Sequence, residues 1–169
     1  MKTDAEVLKE RALRTAGRNK VKTNDVSKLL NVVAFQLQPE RFAFGEKFIS
    51  EVLALKEITP VPGTPLFVMG VINLRGRIVS IINLKTLFNL KDRGLTELNK
   101  VLILKNENME FGIVADSVIG NQQIDTETLS SPPITLDQTG TEFISGVDIS
   151  GLILLDASQI LNSNKLIVK

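Results

Sequence analysis

The sequence predicts a mainly β fold, a barrel or sandwich built from small closed sheets, on three observations. About nine or ten short apolar runs, many of them β-branched, are separated by turn signals. Helix-period segments are few and short. The third observation is residues 70–84, two such runs flanking a Leu-Arg-Gly-Arg centre, which read as strand, tight turn and strand with Gly76 supplying a positive φ. Apolar residues fall on both faces of its second run, at Ile78, Val79, Ile81 and Ile82. That pattern predicts a strand buried on both sides and a hairpin in the middle of the fold, with Arg75 and Arg77 at its tip and Asn73 interrupting its first strand.

Taken in order, residues 1–30 form a basic extension, helical or disordered. Residues 4–16 contain good helix formers between a capping Asp4 and a terminating Gly17, with a thin apolar stripe, and residues 18–28 read as a polar linker. The β content begins near Leu30. Residues 31–37 read as a strand broken at Pro39, and Phe42 and Phe44 alternate on the next. Residues 48–55 are either one bent strand or a helical turn followed by a strand. Pro60, Pro62 and Pro65 remove backbone donors and set φ, which demands a fixed loop leading into the hairpin.

After the hairpin, Asn83 stands where an N-cap belongs, ahead of Leu84, Leu87 and Phe88 at i, i+3, i+4 spacing. Residues 101–104 read as a buried strand and 110–120 as one long strand, continued after a bend to Asp125. Residues 142–150 and 151–155 read as a strand pair. Asp156-Ala157-Ser158-Gln159 has the reach-back spacing of a capping box and opens a short closing helix. Residues 165–169 form a tail.

Composition narrows the function. The chain has 169 residues, 43% of them hydrophobic, enough for one domain with a real core, and its only aromatic type is phenylalanine. It has no histidine and no cysteine, which excludes the common nucleophile–base pairs and His/Cys metal sites. No two glycines stand one residue apart and no phosphate-loop ending occurs, so neither nucleotide fingerprint is present. Asp125 with Glu127 is a formal carboxylate pair, but it lies in a polar, exposed-looking bend. No cofactor, metal or small-molecule substrate is expected. No apolar stretch approaches a membrane span and the charged N-terminus lacks a signal-peptide core, so the protein reads as soluble and cytoplasmic. Net charge is +1, split as +4 over residues 1–28 and −3 over the remainder. A nucleic-acid-binding barrel with a basic N-terminal arm is therefore the alternative class, one whose affinity would fall steeply with salt.

Gly70-Val71-Ile72-Asn73-Leu74-Arg75-Gly76, preceded by the proline loop, resembles the signature of CheW-type chemotaxis coupling proteins. Phe42-Ala43-Phe44 followed by Ile49-Ser50-Glu51-Val52, the 112–118 strand, Pro132-Pro133 and the terminal strand and helix agree in order. The resemblance covers about residues 31–162, with the domain taken as 31–164. It implies two small five-stranded SH3-like β-barrels packed on a shared apolar core, with short helices. It also implies a non-catalytic adaptor at receptor arrays on the inner face of the membrane, bridging the cytoplasmic hairpin tip of chemoreceptors to the regulatory domain of the histidine kinase CheA. Nucleic acid and direct membrane insertion have no part in that role. By the same resemblance, positions matching Gly70 and Arg75 affect receptor coupling and the position matching Ile49 lines a groove between barrels. Asn73 and Gly76 of the same motif complete the partner-binding set. The family usually carries proline at Ser80 and aspartate at Asn83.

From the residues alone, turn-tip arginines either face water or hold a partner; the resemblance assigns Arg75 to a partner and leaves Arg77 facing water. Asp116, in an apolar strand, requires an internal hydrogen bond or salt bridge, a catalytic acid being the alternative. Ile49, Val52 and Leu53 belong either to the core or to an exposed groove.

Overall fold

The computed structural model describes residues 28–92, 94–132 and 138–163. The helix expected over 4–16, most of its linker and the C-terminal tail fall outside these residues. Ten strands form two five-stranded sheets. Sheet I contains β1 (Leu29–Leu37), β2 (Glu40–Gly45), β8 (Ser117–Asp125), β9 (Ile144–Val147) and β10 (Ile153–Leu155), in the order β8-β1-β2-β10-β9. Sheet II contains β3 (Ile49–Ala54), β4 (Val68–Leu74), β5 (Arg77–Ile82), β6 (Lys100–Lys105) and β7 (Glu110–Ala115), in the order β3-β6-β7-β5-β4. The helices among the described residues are single-turn or little longer: α1 (Leu84–Leu87), α2 (Gln138–Thr141) and α3 (Ala157–Asn162).

The two sheets share one plan. Reading across each, the pairings run antiparallel, antiparallel, parallel, antiparallel. Each sheet curls until the chain just beyond one edge strand meets the other edge. Thr59, after β3, bridges Val71 of β4; Ser130, after β8, bridges Val147 of β9. The expected barrels are thus closed by one residue pair each and not by a full ladder. In each sheet one of the two parallel-paired strands runs into a capped helix: β5 into Asn83 and α1, β10 into Asp156 and α3. The two units differ in chain order. Sheet II is built from consecutive strands, whereas sheet I starts at β8–β10 and is completed by β1 and β2.

Strand alternation divides the buried residues into three groups. Val32, Ala34, Ala43, Ile124, Leu152 and Leu154 fill the interior of sheet I. Ile72, Leu74, Val79, Ile81 and Val101 belong to the interior of sheet II. The opposite faces meet in a shared core, and all eight phenylalanines lie in it or pack against it. Phe35 stacks on Phe44 with centroids 5.4 Å apart, and Phe42 stacks on Phe88 at the same distance, carrying the stack from sheet I to the residue that ends α1. A fully buried phenylalanine contributes roughly 2–3 kcal/mol, so this cluster is the main bond between the sheets.

Three expectations need correction. Ile78 is 68% exposed, because only the later part of β5 is covered on both faces; its neighbours Val79, Ile81 and Ile82 are buried. The hairpin is correspondingly half central: β5 lies inside sheet II, but β4 is an edge. The single strand expected over 110–120 is two strands. It breaks at Asp116, where the chain leaves sheet II for sheet I and the polar alternation of β8 pairs with β1. The open question at residues 48–55 resolves as a 3-10 turn over Glu46–Phe48 followed by β3. Among the described residues no helix is long and apolar enough to cross a membrane.

Candidate functional site

Leu74 pairs with Arg77, so the β4–β5 hairpin turns on two residues, Arg75 and Gly76, with φ of 51° and 85°. Two consecutive positive φ values define a type I′ turn, whose twist matches the flanking strands. Gly76 adopts this conformation without steric cost. Arg75 does not, and Asn73 holds the turn: its Oδ1 accepts the Gly76 N–H at 2.8 Å. The apparent interruption of β4 by Asn73 is therefore part of the turn's construction.

The Arg75 side chain spans the open seam of sheet II. Its Nη1 and Nη2 donate to Oε1 and Oε2 of Glu51 on β3, at 3.2 and 3.0 Å. This planar fork fixes the guanidinium, yet 73% of the arginine side chain remains exposed. With the Thr59–Val71 bridge, the fork makes the second link between the two edges of the sheet. Arg77 does not face water alone; its Nη1 donates to Glu110 at 2.9 Å.

The residues singled out from the sequence divide into three groups. Asn73, Arg75 and Gly76 come together at the tip. Gly70 is buried on the same strand, with φ of 146°, where the segment after β3 crosses it; a Cβ there would stand 2.3 Å from the Thr59 carbonyl oxygen. Ile49 opens β3, half-buried against the shared core, two residues before Glu51. Val52, on the same strand, is 42% exposed and Leu53 packs toward the interior of sheet II. Glu51 is the residue that sequence reasoning missed, since nothing in its spacing points to Arg75.

At the junction between the sheets, Asp116 has the partner its burial demands. Its Oδ1 accepts from Lys85 Nζ at 2.7 Å and its Oδ2 from the Gln38 N–H at 2.8 Å. One carboxylate thus ties α1 to the β1–β2 turn. Asn83 does more than cap α1 through the Lys85 N–H: its Nδ2 also donates to Asp92 at 2.7 Å. The Gly94 N–H holds the Asp92 carboxyl below its ordinary range; burial opposes this, and the Asn83 amide and Lys85 charge assist. No group of three Asp, Glu, His or Cys side chains among the described residues is arranged to hold a metal ion.

The same contacts set what a carboxylate at position 83 would meet. Asn83→Asp is expected to set two carboxylates against each other and to cost about 1–2 kcal/mol at neutral pH. Repulsion raises the pair's second pKa above its unfolded value, so the penalty is greatest at neutral pH and shrinks as pH falls toward about 4. The wild-type contact behaves oppositely, because the lowered Asp92 pKa adds stability that is lost as pH falls through the folded value. Denaturant unfolding of both proteins across this range checks the prediction; a gap independent of pH would contradict it.

Two five-stranded SH3-like sheets on one aromatic core, with an ordered cationic tip, define the class: a paired-sheet β domain. The chain belongs to the CheW-like family, whose domain model matches residues 31–165. It is 32% identical over 142 residues to "Chemotaxis protein CheW" of Treponema pallidum, covering 80% of this chain and 84% of that one. It is 31% identical to the protein of the same name from Thermotoga maritima, covering 81% and 85%. The crystal structure of the scaffolding protein TtCheW from Thermoanaerobacter tengcongensis matches with a TM-score of 0.70 at 28% identity, over 80% of this chain and 90% of that one.

Proposed function

We propose that this chain is a non-catalytic chemotaxis adaptor that couples the cytoplasmic hairpin tip of a chemoreceptor to the regulatory domain of a CheA-type histidine kinase, working in the cytoplasm at the inner face of the membrane. The observation that carries the reading is the Arg75 fork. A guanidinium held by Glu51 but still largely exposed is ordered before a partner arrives, so little side-chain entropy is lost on docking. Asn73 and Gly76 serve by holding the turn. Gly70, being buried, acts through the shape of β4, and Ile49 offers the partly covered apolar surface beside the tip. The family membership and the chemotaxis and scaffold names of its relatives support the same reading.

Binding of the purified chain to a receptor cytoplasmic fragment and to CheA tests it; failure with both would refute the proposal. Arg75→Ala is expected to weaken receptor or ternary-complex binding roughly tenfold or more, as truncated interface arginines do. The melting temperature should fall by no more than about 2–4 °C, because an exposed ion pair contributes under about 1 kcal/mol. Unchanged binding, or a collapse in stability, would make Arg75 a purely structural residue.

A further inference from the structure

A cleft of about 760 Å³ opens where the sheets meet, on the side of α1 and the 91–100 segment. Gln38, Pro39, Asp116, Ser117 and Val118 border it from sheet I and its junction; the opposite wall comes from Lys85 of α1, from Lys91 and residues 94–99, and from the start of β6. We propose that this cleft binds a small organic anion, a carboxylate or phosphate group carried on an apolar body.

Charge is the first argument. Three lysines, Lys85, Lys91 and Lys100, line the cleft against one carboxylate, Asp116. Asp116 is already neutralised by Lys85 and hydrogen-bonded to Gln38. Among the described residues, neither Lys91 nor Lys100 has an ion-pair partner. The site therefore holds two uncompensated ammonium groups, and charges of one sign in a recess focus the potential inside it. Lysine presents point charges suited to phosphate and carboxylate oxygens.

The second argument is that the walls are built. Asn99 is 3% exposed and holds the 96–100 segment to sheet II: its Nδ2 donates to the Ala115 carbonyl and its Oδ1 accepts the Thr96 N–H. Asp92 is not part of the lining, and its carboxylate accepts from the Asn83 amide and the Gly94 N–H. The third argument is apolar surface. Leu98 is 76% exposed at the cleft wall, with Pro39 and Val118 as further apolar lining. The volume lies in the range of small-molecule sites, roughly 300–1,000 Å³. An inorganic ion would leave that surface wet; an anion with an apolar body covers it.

The full chain has no tryptophan or tyrosine, so amide chemical-shift titration is the suitable readout. The probes are octanoate, adenosine monophosphate and the neutral control octanol. Saturable shifts confined to the amides around Lys85, Leu98, Lys100 and Ser117 are expected for at least one anion, with a dissociation constant near 1 mM or lower, about 4 kcal/mol of binding. Response to octanoate alone identifies a carboxylate ligand, to the nucleotide alone a phosphate ligand, and to both the shared anion chemistry. The double variant Lys91→Glu, Lys100→Glu should melt as the parent does and bind at least tenfold more weakly. No saturable shift with either anion by about 10 mM, equal binding of octanol, or undiminished binding by the double variant would overturn the proposal.

Discussion

Gly70→Ala is expected to lower the melting temperature by about 10 °C or more and to loosen sheet II before sheet I. Two independent penalties act at this position. A φ of 146° is strained for any residue with a Cβ, costing about 1–3 kcal/mol. The added carbon also meets backbone, the Thr59 carbonyl, which moves only if the Thr59–Val71 bridge opens. Overpacking of that kind costs about another 1–3 kcal/mol, against a total stability on the order of 5–15 kcal/mol. Gly146 is the built-in control. It occupies the equivalent place in sheet I, beside the Ser130–Val147 bridge, but lacks the positive φ, and its Cβ would stand 2.8 Å from the Leu129 Cβ. Gly146→Ala should therefore destabilise less. Thermal unfolding followed by circular dichroism ranks the two; a Gly70→Ala loss below about 1 kcal/mol would show that the close approach at Thr59 is soft.

The second large effect is expected at the Lys85–Asp116 pair. Removing one member leaves the other partly desolvated without its counter-charge, and such losses are about 3–5 kcal/mol when burial is complete. Asp116 retains 21% exposure of its side chain while Lys85 keeps 8%, which puts the loss for Asp116→Asn near the lower figure. Asparagine can still accept the Gln38 N–H, so that loss reports the missing charge. Lys85→Met tests the other half, and the double variant should be less damaging than the sum of the singles because no orphan charge remains. Urea unfolding of the four proteins gives the coupling; additive losses would mean that the two side chains act separately.

Local chemistry was the legible part of the sequence. Asn83 and Asp156 cap helices where their spacing predicted, because a cap is decided within four residues. The Arg75-Gly76 turn and the number of strands were readable for the same reason. What escaped depends on distant partners. Glu51 meets Arg75 only because sheet II curls, and Ile78 is exposed only because no element covers the start of β5. The break at Asp116 hides between two apolar runs; its marks are the polar pair Asp116-Ser117, and the carboxylate was assigned to an internal bond without revealing that it also ends a strand. The common plan of the two sheets left faint traces: Gly70-Val71 and Gly146-Val147 at the two bridges, and Ile81-Ile82-Asn83 against Leu154-Leu155-Asp156 before the helices. Neither is long enough to stand out against other β-branched runs. At the candidate site, the tip was readable as a turn, while its fixation by Asn73 and Glu51 was not.

The permuted strand order has a consequence for how the protein is made. On a growing chain, β3 to β7 emerge in succession and have every neighbour they need, so that half can mature while synthesis continues. The strands β1 and β2 are in a different position, because β1 must await β8 and β2 must await β10, both made after the whole of sheet II. Until then the β1–β2 ribbon has open hydrogen-bonding edges on both sides and a row of phenylalanines without cover. Nascent chains of this type are thus most vulnerable to self-association through the β1–β2 ribbon, and the emergence of β8 and β10 is the event that removes the hazard.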